Sequence, residues 1–250
     1  MPPWNGGFVR DNLGMNEAES ERPAYTRITR SHKGVDADAR RKERRQRLVE
    51  AGLETLGTKG LHTTTVRDVC GQAGLSERYF YESFSGLGEL FDTIYQAQHQ
   101  DLLGRLMAVL VSSRGQHQSA LEGGKAALVV WFSFLKEDPR RARIMLIDAM
   151  GGNEGSARGA KAAARDYVGA IEAFMDLLYP GLPAQQLSSR LLSAALLGAC
   201  IHTAKEWIWS DFEAPMESVV GHLSMVFQAL DSHYRWASIV QSADSGRSQG

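Results

Sequence analysis

The sequence predicts an all-α protein, with a three-helix unit near the N-terminus followed by a larger helical body. Two observations carry that expectation. Apolar residues recur at helical spacing from Leu48 onward, and no alternating strand pattern of useful length interrupts them. The breaks between those runs hold residues that stop or start helices, among them Gly60, Gly74, Pro139, Gly151, Gly152, Pro180 and Pro215. With 250 residues, 43% of them apolar, the chain can bury a sizeable core in one or two domains. No internal repeat is evident.

Residues 1–36 are rich in Gly, Asn, Glu and Pro without sustained periodicity, which predicts a flexible extension. The next domain, 37–86, opens with an amphipathic helix from about Asp38. Leu48, Gly52 and Leu56 share one face with Val49 and Leu53, while Arg44, Arg47, Glu50, Glu54 and Lys59 occupy the other, and Gly60 ends it. Thr65 to Asp68 has the form of a capping box. The short helix after it buries Val66, Val69, Cys70 and Ala73 and stops at Gly74. Leu75 anchors a turn, and Ser76 is placed to cap a second short helix over 77–84 whose buried face is Phe80 and Phe84.

The third domain, 87–237, begins with a helix over 87–110, roughly 35 Å long at 1.5 Å per residue. Its stripe of Leu87, Leu90, Phe91, Ile94, Leu102, Leu103, Leu106 and Leu110 is long enough to leave one core and enter another. Helical patterns follow over 118–136, from Pro139 to Gly151 with Asp138 as its cap, over 156–179, over 184–210 and over 215–236. Residues 238–250 read as a polar tail.

Charge is distributed unevenly. The whole chain carries −1, yet Arg27, Arg30, Lys33, Arg40, Arg41, Lys42, Arg44, Arg45 and Arg47 face only Asp36, Asp38 and Glu43 in the same window, a local +6. That is an electrostatic footprint for phosphates or anionic lipids, or else a solvated basic arm. Two distant cysteines, Cys70 and Cys200, imply no disulfide framework. There is no secretory h-region, and the longest apolar run, 187–201, is broken by Ser188, Ser189, Arg190 and Ser193. The expectation is a soluble cytoplasmic protein with no membrane partner.

Two short helices joined by a tight turn suit DNA reading, since the second can enter the major groove while the first crosses the backbone. With Phe80 and Phe84 buried, the second helix exposes Glu77, Arg78, Tyr79 and Glu82, with Tyr81 to one side. Arg78 can donate two bonds to a guanine edge; Tyr79 offers a ring to thymine methyls. Tyr81 suits a phosphate, as do Thr65 and Arg67 at the preceding helix N-terminus. Arg44 and Ser76 complete the predicted DNA-binding set. Glu77 and Glu82 repel phosphate, but can accept from cytosine or orient Arg78. The competing structural reading, a helical hairpin inside a bundle, has no need for Arg78, Tyr79, Tyr81 and Glu82 on one short face.

Leu48 to Phe91 resembles the N-terminal region of the TetR family of transcriptional regulators. The resemblance rests on Leu48, Val49, Ala51, Gly52 and Leu53, on Gly60, on Thr64 to Val69, on Ala73 to Ser76, and on Phe80, Tyr81, Phe84, Leu90 and Phe91. It implies that the first three helices are a helix-turn-helix DNA-binding domain, that the fourth links it to a ligand-binding and dimerisation domain, and that the last two long helices form a homodimer. Two departures stand out. Leu87 replaces a lysine common in the family that donates to phosphate, and Cys70 replaces a usual alanine.

For the implied pocket, the large side chains Trp131, Phe134, Met145, Tyr167 and Phe174 point to a small apolar or aromatic effector, with most such residues serving simply as core. His202 and Glu206 are candidates to orient it. They also have the i, i+4 spacing of a helix metal pair, without a third ligand, or of a satisfied buried pair. No metal or cofactor is expected, and Cys200 lacks the basic neighbours of a redox sensor. Leu191, Leu192, Ala195, Leu196, Gly198 and Ala199, with Val219, Val220, Leu223, Val226, Phe227 and Leu230, offer faces for a two-fold dimer. No nucleophile elbow, P-loop, dinucleotide fingerprint, zinc cluster or Glu-x-x-His pair is present, so no enzyme is expected. The predicted function is a repressor released from a double-stranded DNA operator by a small molecule. A regulator answering to a protein partner, or to no ligand, is the alternative.

Overall fold

Local capping chemistry sets the N-terminal helices in the computed structural model, which describes residues 31–115, 119–149, 154–178 and 189–247. The chain divides into two compact units, Met1–Ala39 and Arg40–Gly250. Of the first, the described residues are the opening turns of α1, so Arg27, Arg30 and most of the expected extension lie outside the described residues. Helix α1 is Ser31–Lys59, starting well before Asp38. Residues 31–37, ahead of Asp38, hold only Val35 and Ala37 as apolar residues beside Gly34, so no periodic stripe marked that start.

Helix α2, Val66–Ala73, has the reciprocal capping box expected of Thr65 and Asp68. Gly74 closes it at φ 62°, ψ 37°, a left-handed conformation that costs glycine little. Helix α3, Glu77–Tyr81, is shorter than expected and lacks the expected side-chain cap from Ser76. The Phe84 N–H still bonds the Phe80 carbonyl at 2.8 Å, which keeps both rings on the buried side. These helices close a core of Leu48, Leu56, Val69, Cys70, Phe80, Phe84, Leu90 and Phe91, the last two from α4, Leu87–Gly115. Cys70 sits there as a compact hydrophobe, its thiol pushed up by burial.

The body begins in the outer part of α4 and continues with α5 (Ala120–Glu137), capped by an unforeseen Ser119–Glu122 box. Helix α6 (Pro139–Ala142) opens as expected on Asp138 and Pro139, but then passes into a π-helical turn, Arg143–Asp148, instead of a regular helix to Gly151. Helices α7 (Glu154–Leu178), α8 (Ser189–Trp209) and α9 (Met216–Arg247) complete it. Helix α9 therefore runs on through most of the expected polar tail. Among the described residues every regular element is helical. None of their helices is long and apolar enough to cross a membrane.

Head and body are tied by the α6 region. Arg140 donates from Nε and Nη2 to the two oxygens of Asp138, both at 2.8 Å, and from Nη1 to Glu54 on α1. A side chain at Gly57 would collide with the Arg140 backbone and Cβ, so glycine is what lets α1 approach this closely. Further along the chain, buried Asp148 accepts the Leu61 N–H at 3.1 Å and faces Arg143 at 3.5 Å. A buried carboxylate needs such partners.

Because Phe80 is fully enclosed in the head core, Phe80→Ala is expected to lower unfolding stability by about 3–5 kcal/mol. A urea midpoint within error of the parent's would show that the head core does not depend on it.

Candidate nucleic-acid interface and body cavity

The reading face is assembled from the short α3 and the middle of α1. Phe80 points inward, which leaves Glu77, Arg78, Tyr79, Tyr81 and Glu82 exposed. Arg78 projects furthest, with 84% of its side chain exposed, and its Nε is held by Glu82 Oε1 at 3.1 Å. The pair is an exposed i, i+4 contact, worth only about 0.3–0.5 kcal/mol, so it orients Arg78 without fixing it. Glu82 thus takes the orienting part open to it.

Tyr79 is backed by Arg44, whose guanidinium carbon lies 4.5 Å from the ring centroid. That cation–π contact joins α1 to α3 and keeps the ring at the surface. Tyr81 stands more exposed, its ring edge-on to Phe80. Two neighbouring arginines have structural work that the sequence did not reveal. Arg47 Nη2 donates to the Ala73 carbonyl at 2.6 Å, closing the C-terminal end of α2, where a cation is favoured. Arg45 lies over the Phe84 ring and donates to Thr93.

At the α2 N-terminus Thr65 is less available than expected. Its hydroxyl donates to Asp68 Oδ2 at 2.6 Å and accepts the Asp68 N–H at 3.2 Å, so its bonding is internal. Lys59, bonded at 2.7 Å, and then Thr65 hold the Asp68 carboxyl well below the usual range. Arg67 is exposed on the same turn. Ser76, freed from capping, is exposed before α3. At the start of α4, Leu87 packs against the core, while Glu89 takes the N–H and hydroxyl of Ser85, each at 2.8 Å. The Ser85 donors near the missing lysine are therefore already taken by a carboxylate. The sequence signal for this was a serine four residues before a glutamate.

In the body, α4, α5, α7, α8 and α9 line a partly open cavity of about 110 Å³. One water needs roughly a tenth of that space. Of the residues expected at a ligand, Trp131, Tyr167 and Phe174 line it. Phe134 and Met145 do not; they are buried elsewhere, Phe134 against the guanidinium groups of Arg105 and Arg141. His202 and Glu206 are neither in the cavity nor a buried pair, for their side chains are 74% and 62% exposed and 3.9 Å apart. Helix α8 is apolar on more than one face, so polarity alone could not place them. Among the described residues no group of three or more His, Cys, Asp or Glu is arranged to hold a metal. Cys200 does line the cavity, with burial pushing its thiol up to about 12, far from a reactive thiolate.

Residues 48–94 match the family described as bacterial regulatory proteins, tetR family. The chain is 22% identical over 180 residues to the HTH-type transcriptional activator FasR of Mycolicibacterium smegmatis, a match covering 72% of this chain and 79% of that protein. The fold is shared with the fatty acid degradation regulator FadR from Bacillus halodurans, at a TM-score of 0.65 and 14% identity over 73% of this chain and 93% of that one. It is shared too with FadR from Bacillus subtilis in complex with stearoyl-CoA, at 0.64 and 15% over 72% and 96%.

Arg78→Ala is expected to weaken binding to a selected DNA site by about 1–3 kcal/mol and to relax preference at one base pair. Tyr81→Phe is expected to weaken all sequences alike, because a phosphate contact carries no base information. Affinities for the selected site and for random duplex, measured at one salt concentration, separate the two roles. An equal loss on both DNAs for Arg78→Ala would refute base reading.

Proposed function

We propose that this chain, a transcription regulator of the TetR type, is a repressor that binds a pseudo-palindromic operator as a homodimer and leaves it when a small apolar ligand fills the body cavity. The cavity carries the reading, because its wall shares an element with the reading head. Helix α4 lines the cavity through Leu106 and Leu110, and the same helix packs the head core through Leu90, Phe91 and Ile94. A ligand that favours a different α4 position shifts the head with it, by no more than its difference in affinity for the two positions. The Bacillus subtilis FadR that shares this fold is bound to stearoyl-CoA, which supports a long acyl chain as the occupant.

Arg44, Ser76, Glu77, Arg78, Tyr79 and Glu82 are proposed to meet the bases and the flanking backbone. Tyr81, Arg67 and the backbone donors beside Thr65 are proposed to meet phosphates. The dimer is assigned to α8 and α9, with a change in the face used. Leu196, Val219, Val220 and Leu223 are consumed by the chain's own core, whereas Leu191, Ala194, Ala195 and Gly198 on α8 and Met225, Val226 and Ala229 on α9 are exposed. An apolar stripe of that kind on two adjacent helices is suited to a copy of itself. Nothing lies within 4 Å of a Cβ built at the exposed Gly198, so an arginine there can start outward from the monomer and obstruct a partner.

Two outcomes are expected. Gly198→Arg sediments as a monomer at micromolar concentration and loses most operator affinity, while its far-UV circular dichroism remains that of the folded parent. A variant that remains dimeric would move the interface elsewhere. Stearoyl-CoA at saturation weakens operator binding at least tenfold in a fluorescence anisotropy titration, and raises expression from an operator-controlled reporter. Lowered reporter expression would make the chain an activator, and unchanged DNA affinity would remove this ligand class.

A further inference from the structure

The lining of the body cavity stops at definite levels along its helices, and those levels give the cavity a direction. On α5 it runs from Leu121 to Trp131, roughly 15 Å at 1.5 Å per residue. On α7 it runs from Tyr167 to Met175, in the opposite sense. Tyr167 meets Trp131, while the Phe174 ring lies 3.0 Å from a Cβ built at Gly123, so the two helices are antiparallel along the wall. A volume of about 110 Å³ drawn out over that length is a slot rather than a chamber.

Helix α4 shows which end faces the head. It leaves the head core at Ile94, passes Tyr167 at His99, and reaches the cavity only at Leu106 and Leu110 among the described residues. Trp131 and Tyr167 therefore stand at the head side of the slot, and Leu110, Leu121 and Met175 at its far side. Burial separates the two ends. Trp131 and Tyr167 are 5% and 6% exposed, whereas Leu110, Leu121 and Met175 are half-buried. The slot is thus closed toward the head and open at the far end of the body.

The closed end is braced. Tyr167 stands edge-on to Trp131 at 5.8 Å and to His99 at 4.8 Å, so three rings bridge α5, α7 and α4. His99 is buried, with its Nε2 3.0 Å from Asp166, the neighbour of Tyr167. Edge-to-face rings in a close-packed layer hold their places, because displacing one opens a gap behind it.

We propose that Trp131 and Tyr167 form a stop that sets the length of straight apolar chain the cavity takes up. The chain enters tail-first from the far end, and its tail comes to rest on the two rings. This rests on the reading of the cavity as an effector site and adds the residues that set its length preference. Carbons in excess of that length stay at the open end, in contact with water, and add little affinity.

The test is a chain-length series, the even-numbered acyl-CoAs from hexanoyl to hexadecanoyl, titrated onto the full chain by isothermal calorimetry. Affinity is expected to rise roughly tenfold with each two carbons that enter the slot, then to level off at one length. Trp131→Leu lowers the floor and should move that break to chains about two carbons longer. Ala170→Leu adds bulk to the wall one turn beyond Tyr167 and should move it about two carbons the other way. If Trp131→Leu does not fold, Ala170→Leu decides alone. A break left in place by either folded variant, or a parent whose affinity shows no break, would overturn the stop and leave the effector cavity standing. Binding of none of the acyl-CoAs would bring down the effector cavity itself, and the stop with it.

Discussion

The structure depends on how the reading head is held against the body, and Arg140 is the centre of that grip. Its guanidinium spans Asp138, at the start of its own helix, and Glu54, in the first helix of the head. A planar fork satisfied on two edges fixes orientation as well as distance. Its partial exposure means that water screens the charges, so the contact contributes more to geometry than to stability. Gly57 beneath it and the Asp148 bond to Leu61 make the same junction steric and directional. Two connections thus run between head and body: this clamp and the continuous α4.

That arrangement explains the irregular backbone beside the clamp. The Arg143–Asp148 turn is π-helical, which inserts an extra residue into the helical repeat and swings the side chains after it around the axis. Ile144, Met145 and Leu146 are all buried, and Asp148 is brought to Leu61. Met145 is buried in this turn and is absent from the cavity wall for which its large apolar side chain had nominated it.

Features fixed by neighbours in sequence were legible before any coordinates. The Thr65–Asp68 box, the Gly74 stop, the Asp138–Pro139 start and the inward pair Phe80 and Phe84 each follow from residues within a few positions of one another. Features fixed by distant neighbours were not. Ser76 has a capping residue's identity and backbone but not its bond. Phe134 was claimed by two arginines from separate helices, and His202 and Glu206 occupy the outward face of a helix that is apolar nearly all round. The cavity residues Leu106, Leu197 and Phe227 look like ordinary core in sequence, and only their failure to fill the space between five helices sets them apart.

The contact between Arg78 and Glu82 has a bearing on how such a protein finds its site. A bare arginine at the tip of the head would adhere to every phosphate it passed, and dwell time on irrelevant DNA would rise accordingly. In the proposed reading role, Glu82 bonded to its Nε would keep that tip locally neutral while the protein scans, and the carboxylate itself would push away from the backbone. The cost of parting the pair is small beside a bidentate bond to guanine. In that role the acid would protect search speed and leave commitment to the one base edge that can outbid it.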